Sequence, residues 1–107
     1  SFIGKWKLIE INVDPGDGSG EFTPIESEKT IEFFNDGTIK ATNGNLCRMN
    51  ATTENHTSTY TINGEVAILG ACDIEFITVG FRIENGILYS SGFGCMELCE
   101  EKYVRLE

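Results

Sequence analysis

The sequence is 107 residues long, which suits one hydrophobic core, so a single domain over residues 1–107 is predicted. Hydrophobic residues make up 40% of it, well above the content of a disordered chain. Seventeen acidic against eight basic residues give a net charge of −9, which repels nucleic-acid phosphates and anionic membranes. No nucleic-acid partner is expected. No direct membrane insertion is expected either, because no apolar run approaches the roughly 20 residues that cross a bilayer.

Apolar and polar residues alternate in short runs, which is the period of β-strands, and no longer run has the period of a helix. Eight strands are predicted, at residues 5–11, 30–34, 38–42, 58–62, 65–69, 74–83, 87–93 and 102–106. Asn35-Asp36-Gly37, Asn63-Gly64 and Glu84-Asn85-Gly86 are typical hairpin turns. A change of apolar parity within residues 74–83 predicts either a β-bulge or burial on both faces of the strand.

Eight antiparallel strands without a helix form either a sandwich or a closed barrel, and only closure removes both edges. Gly4-Lys5-Trp6 favours the barrel, because it resembles the Gly-x-Trp signature of the lipocalins and their calycin relatives. In that family the tryptophan packs at the closed end under a basic side chain of the last strand, a role that the resemblance gives to Arg105. The predicted fold is therefore an all-β, eight-stranded antiparallel up-and-down β-barrel of the lipocalin-like kind.

Residues 14–20, 33–38 and 101–105 are also similar to small bacterial lipocalin-like domains exported to the cell envelope. The chain departs from typical lipocalins in lacking a Thr-Asp-Tyr motif between residues 83 and 87 and a helix after Leu106. The resemblance implies a secreted, periplasmic or cell-surface protein. A lipid anchor would belong to a segment absent from this chain.

Four cysteines in a short acidic chain favour disulfides in an oxidising compartment. In an up-and-down barrel, Cys47, Cys72, Cys95 and Cys99 all fall on loops at the open end. Two disulfides are predicted there. Of the three possible pairings, we favour Cys47 with Cys99 and Cys72 with Cys95.

The barrel interior either holds one small ligand or is filled by side chains. Alternation predicts that inward-pointing side chains include Trp6, Leu8, Ile31, Phe33, Ile39, Ala41, Tyr60, Ile62, Val66, Ile68, Val79, Phe81 and Tyr89. The candidate ligand-binding residues among them are Phe33, Ile39, Tyr60, Ile68, Phe81 and Tyr89.

Metal, cofactor and catalytic roles have little support in the sequence. Asp14, Asp17 and Ser19 lack the regular spacing of a calcium loop, and the spacing of Cys95 and Cys99 is not that of a zinc site. The only histidine, His56, is expected in a polar loop, where it cannot by itself activate a nucleophile. The acidic cluster Glu97, Glu100 and Glu101 is interpreted as a solvated face. No metal, no cofactor and no enzymatic activity are predicted.

The leading hypothesis is an extracytoplasmic binding protein that takes a small apolar or amphipathic molecule at the open end of the barrel. The alternative is a protein-interaction or inhibitor module of the cell envelope, in which the open-end loops contact a partner protein and a filled barrel serves as scaffold. Loops on a rigid frame commonly carry recognition.

Overall fold

Antiparallel β-strands form the regular structure of this protein. The computed structural model describes residues 1–13, 20–49, 53–70, 72, 77–93 and 99–106, and these residues contain strands and no helix. The strands are β1 (Gly4–Val13), β2 (Thr23–Pro24), β3 (Thr30–Phe33), β4 (Thr38–Thr42), β5 (His56–Asn63), β6 (Val66–Leu69), β7 (Gly80–Glu84), β8 (Ile87–Ser91) and β9 (Cys99–Leu106).

The sheet closes on itself. β1 pairs with β3, each strand from β4 to β9 pairs with the strand before it, and β9 pairs back with β1, always antiparallel. Eight strands thus form an up-and-down barrel, and the two-residue β2 adds to β1 beside Glu10 and Ile11. Closure removes the free edges that a sandwich would keep. The predicted lipocalin-like barrel is confirmed.

The predicted strand at 74–83 is shorter in the structure. β7 begins only at Gly80, and residues 73–76 lie outside the described part of the chain. The bulge predicted within 74–83 therefore stays a prediction. A register shift is found in β1, between Leu8 and Glu10 in its pairing with β9. A bulge bends a strand. β1 pairs with β9 on one edge and with both β3 and β2 on the other.

Two hairpin turns depend on glycine in the left-handed region. Between β7 and β8, Asn85 and Gly86 have φ of 54° and 78°, the pair that a two-residue hairpin loop requires. Between β3 and β4, Gly37 has φ of 89°. In that turn the Asp36 carboxylate accepts hydrogen bonds from the hydroxyl (2.6 Å) and the backbone N–H (3.0 Å) of Thr38. These bonds lower the pKa of Asp36.

The inward side chains form one packed core. Its buried members are Trp6, Leu8, Ile31, Phe33, Ile39, Ala41, Leu46, Cys47, Ala67, Leu69, Ile77, Val79, Phe81, Leu88 and Tyr103. The Phe33 ring lies 5.0 Å from the Tyr60 ring and 5.2 Å from the Phe81 ring, edge to face in both cases. Such ring pairs add about 0.5–1.5 kcal/mol each beyond their area burial.

The inward orientation predicted for Val66 and Ile68 is wrong. The turn of the β5–β6 hairpin consists of residues 64–65, which places Ala67 opposite Ile62. Ala67 is fully buried, so it faces the barrel and its two neighbours in the strand face outward. Ile62 is 56% exposed, because the ladder between β4 and β5 ends before it.

The inward orientation predicted for Tyr89 is also wrong. Phe81 pairs with Ser90 and both are buried, so the residue between Leu88 and Ser90 points out of the barrel. On that outer face, the guanidinium carbon of Arg82 lies 4.6 Å from the centroid of the Tyr89 ring. The ring of Phe22 lies 5.7 Å from it.

At the closed end, the guanidinium carbon of Arg105 lies 4.1 Å from the centroid of the fully buried Trp6 ring. Arg105 also donates hydrogen bonds to the carbonyl oxygens of Ile3 (2.8 Å) and Ser1 (2.6 Å). Gly4 has φ of 125°, and a Cβ there would lie 2.8 Å from Nη1 of Arg105. This is the arrangement that the Gly-x-Trp resemblance implies. It ties the first residues of the chain to the last strand.

We predict that Arg105→Ala lowers the free energy of unfolding by about 1–3 kcal/mol, because it removes the contact with Trp6 and two charge-assisted hydrogen bonds. Urea denaturation measures the change. Lys40→Ala is the control, since Lys40 is exposed on β4 and its loss should cost less than about 0.5 kcal/mol. Equal losses in the two variants would contradict the assigned role of Arg105.

Candidate functional site at the open end

The open end of the barrel carries the connections between β1 and β3, β4 and β5, β6 and β7, and β8 and β9. The three described cysteines, Cys47, Cys72 and Cys99, lie at this end, and Cys99 pairs with Val13 at the open end of β1. Cys95 lies outside the described residues.

The disulfide pairing that we favoured is wrong. Cys47 is bonded to Cys72, with a Cα–Cα distance of 6.0 Å. The loops that carry these two residues are separated only by the β5–β6 hairpin, whereas Cys99 starts β9, beyond β7 and β8. Cys99 is itself disulfide-bonded. The bond between Cys47 and Cys72 joins two of the open-end loops.

A buried ion pair lies inside the barrel near the open end. The Nζ atom of Lys29 is 2.9 Å from Oε2 and 3.2 Å from Oε1 of Glu101, and the two side chains are 2% and 1% exposed. Oε1 also accepts hydrogen bonds from the hydroxyls of Ser90 (3.1 Å) and Tyr103 (2.7 Å). Both carboxylate oxygens therefore have donors, as a buried charge requires.

The aliphatic stem of Lys29 reaches this site by passing over Gly44. A Cβ at Gly44 would lie 2.6 Å from both Cγ and Cδ of Lys29, closer than real contacts allow. A residue without a side chain is therefore needed at position 44 for the ammonium to reach Glu101.

Sequence reasoning missed this cluster, because it interpreted the acidic residues near the C-terminus as a solvated face. That interpretation is wrong for Glu100 and Glu101, which are 8% and 1% exposed; Glu97 lies outside the described residues. One signal was available, since alternation places Glu101 on the same face as the apolar ring of Tyr103. No local pattern points to Lys29, which lies 72 positions away.

Glu100 lies on the outer face of β9 and accepts a hydrogen bond from Nη1 of Arg82 (2.8 Å). Arg82 also donates to Glu84 (2.6 Å). Burial works to lower the pKa of Arg82, but its hydrogen bonds and charge interactions with these carboxylates raise it overall. The Oδ1 atom of Asn12, opposite Glu100 in the ladder, is buried and has no hydrogen-bond partner among the described residues.

A pocket of about 190 Å³ opens in the barrel wall at this end, and we call it the wall pocket. The backbone N–H of Ile25 donates to Ile9 O (3.0 Å), and that of Leu8 donates to Lys29 O (3.1 Å). Residues 26–28 therefore leave the edge of β1 between these two bonds. The wall pocket forms where residues 26–28 meet the loop after β4.

The wall pocket combines apolar and polar lining. Leu8, Ile25 and Met49 supply apolar surface, and Leu8 also belongs to the core. Glu26 and Glu28 line the pocket and are exposed.

Asn43 and Lys29 also line the pocket. Nδ2 of Asn43 donates to the backbone carbonyl of Glu28 (3.3 Å), which joins the two segments around the pocket. Only the stem of Lys29 is available here, because its ammonium is held by Glu101.

The loop that carries Met49 is held in place by side chains, including His56. The backbone N–H of Leu46 donates to Nδ1 of His56 (3.0 Å), and the N–H of Cys47 donates to Oδ1 of Asn45 (2.7 Å). His56 was expected in a polar loop without a role. It is instead the first residue of β5 and anchors the loop.

The predicted ligand-binding residues do not line the wall pocket. Phe33, Ile39 and Phe81 are 1%, 0% and 2% exposed in the core, and Tyr60 packs beside Phe33. Ile68, like Tyr89, lies on the outer face. Ligand binding by these residues stays a prediction. No sequence pattern indicated the wall pocket, because the pocket depends on the irregular residues 26–28 between β2 and β3.

Within the described part of the chain, no three His, Cys, Asp or Glu side chains come together as they would around a metal ion. The same residues include no helix long and apolar enough to cross a membrane. The candidate calcium ligands Asp14, Asp17 and Ser19 lie outside the described residues.

The chain belongs to the lipocalin-like domain family, whose family model matches residues 2–88. Neither a curated protein nor a solved structure matches this chain. The matched range ends within β8, so β9 with Glu101 and Tyr103 lies beyond it. The family is one of ligand-binding barrels, and the Cys47–Cys72 disulfide indicates a non-cytoplasmic location.

We predict that Lys29→Met lowers the free energy of unfolding by about 3–5 kcal/mol, because it leaves the Glu101 charge buried without its cation. Adding Glu101→Gln should recover part of that loss, since the amide is neutral and its oxygen still accepts from Ser90 and Tyr103. Urea denaturation at neutral pH measures both. A double variant no more stable than Lys29→Met would contradict the coupling.

Lys102→Met is the matched control for this cycle. Lys102 pairs with Glu10 at 3.3 Å, and these side chains are 26% and 25% exposed. A solvated pair of this kind contributes about 0–1 kcal/mol, so its loss should be small.

A second prediction concerns alkaline pH. Burial, followed by the charge of Glu101 and the hydrogen bond to it, raises the pKa of Tyr103 well above its usual value. An unfolded tyrosine ionises near about pH 10. Above that pH the unfolded chain binds fewer protons than the folded one, so the free energy of unfolding falls as pH rises. Below that pH the stabilising contribution of Tyr103 is complete.

Tyr103→Phe should therefore flatten the loss of stability above about pH 10, while costing about 1–2 kcal/mol at neutral pH. Urea midpoints between about pH 8 and about pH 11 measure this. Tyr89→Phe, on the outer face, should keep the wild-type slope. Identical slopes in all three proteins would contradict the assignment.

Proposed function

We propose that this domain is an extracytoplasmic binding protein that takes a small amphipathic molecule into the wall pocket. The observation that carries the proposal is the pocket itself, in which Leu8, Ile25 and Met49 lie beside polar residues at the mouth. Ligand sites typically combine an apolar lining with a few polar groups. Membership of a family of binding barrels supports the same role.

The size of the pocket limits the ligand. About 190 Å³ is below the roughly 300–1,000 Å³ of sites for drug-sized ligands. The described interior beside it is filled by Trp6, Phe33, Tyr103 and the buried ion pair. We therefore expect a molecule of a few carbon atoms, or one end of a longer chain.

Export and a binding role without catalysis belong to the same proposal. Disulfides persist in oxidising compartments, which supports a secreted, periplasmic or cell-surface location for a protein with the Cys47–Cys72 bond. The ring of the only histidine, His56, accepts the Leu46 N–H. That engagement argues against a role for His56 as a general base.

A titration with butanol, hexanol and octanol, followed by amide NMR shifts, tests the proposal. Binding should tighten with chain length until the pocket is full. Ile25→Ala should weaken hexanol binding about fivefold, because it removes apolar contact. Ile62→Ala is the matched control, since Ile62 is exposed and does not line the pocket.

The titration has two outcomes that count against the proposal. Equal weakening by Ile25→Ala and Ile62→Ala would place the binding elsewhere. Absence of binding by every alcohol would overturn the small-molecule proposal and favour the alternative, a protein-interaction module with a filled barrel as scaffold.

A further inference from the structure

We infer that the wall pocket selects cationic amphipaths: a short alkyl chain ending in a protonated amine should bind better than the alcohol or the carboxylate of equal length. This inference rests on the proposed function and adds the charge of the ligand's polar end.

Two unpaired carboxylates stand at the pocket. Glu26 and Glu28 line it and are exposed, and neither belongs to the ion pairs found in the described part of the chain. Both residues belong to the segment 26–28 that leaves the edge of β1, so both lie next to the mouth of the wall pocket. A ligand ammonium seated there would meet opposite charge that no side chain in the described part of the protein already neutralises.

The described lining of the pocket offers an anionic ligand no comparable charged partner. Lys29 is the basic residue of its described lining, and the Lys29 ammonium is bonded to both oxygens of Glu101 and is 2% exposed. A ligand carboxylate would have to take this cation from Glu101 and leave a buried charge unpaired. That exchange is strongly unfavourable.

The Asn43 side chain can also accept a hydrogen bond from such a ligand. Nδ2 of Asn43 donates one of its two hydrogens to the Glu28 carbonyl, and its Oδ1 atom is an acceptor. An ammonium has three donors and no acceptor. The net charge of −9 adds a field that attracts cations to clefts.

The pocket also orients such a ligand. Leu8, Ile25 and Met49 provide the apolar surface for the alkyl chain, and the carboxylates lie on residues 26–28 at the mouth. The chain should therefore point toward Leu8 and the ammonium toward solvent and the glutamates.

Hexylammonium, hexanol and hexanoate share one alkyl chain and differ in head group, so they test the inference. In NMR titrations at neutral pH and low salt, hexylammonium should bind about tenfold tighter than hexanol, and hexanoate weakest. Glu26→Gln with Glu28→Gln should reduce the preference for hexylammonium over hexanol from about tenfold to within about twofold. Amide shifts of the unliganded variant that match the wild type away from residues 26–28 show that the variant is folded.

Glu32→Gln with Glu65→Gln is the matched control, because it changes the net charge equally at residues that do not line the pocket. It should keep the preference for the amine. Loss of the preference in this control, or hexanoate binding as tightly as hexylammonium, would overturn the inference. So would equal binding of hexylammonium and hexanol, although the proposed function would then stand. No binding by any of the three compounds would refute the proposed function itself.

Discussion

The buried ion pair between Lys29 and Glu101 is the interaction on which the open end of the barrel depends. Removing two charges from water costs several kcal/mol for each ion, and only close pairing with further hydrogen bonds offsets that cost. Ser90 and Tyr103 supply the hydrogen bonds, and Gly44 leaves room for the lysine stem. The pair joins the segment before β3 to the closing strand β9, across 72 positions of sequence.

This pair also supports the place that we propose for the ligand. It fills the described interior near the open end, and Trp6, Phe33 and Tyr103 fill the part nearer the closed end. Residues 26–28 leave the barrel wall immediately before Lys29, so the anchored lysine marks one end of the wall pocket. The same ion pair engages Lys29, the basic residue of the described lining of the wall pocket. Our proposal therefore places a neutral or cationic ligand at the wall rather than an anionic one along the barrel axis.

Much of the fold was predictable because it depends on local patterns. Alternation, glycine turns and Gly4-Lys5-Trp6 were sufficient for the barrel. The alternation pattern predicted the wrong inward-facing residues in β6 and β8, because the exact turn residues decide which side chains face inward. The predicted disulfide pairing was wrong because all four cysteines were expected at one end of the barrel. The sequence alone could not indicate which of them lie closest together. Alternation with Tyr103 could have indicated that Glu101 faces inward. The pairing of Glu101 with Lys29 and the wall pocket depend instead on contacts between distant segments and on the irregular residues 26–28, which no local pattern encodes.

The most direct test of this account is to locate a bound ligand by NOEs between hexylammonium, or hexanol if the amine does not bind, and the side chains of the protein. The account predicts contacts with Leu8, Ile25 and Met49. It predicts none with Phe33 or Ile39, whose side chains are sealed in the core. NOEs to those core residues instead would contradict the claim that the barrel is filled and that the wall pocket is the binding site.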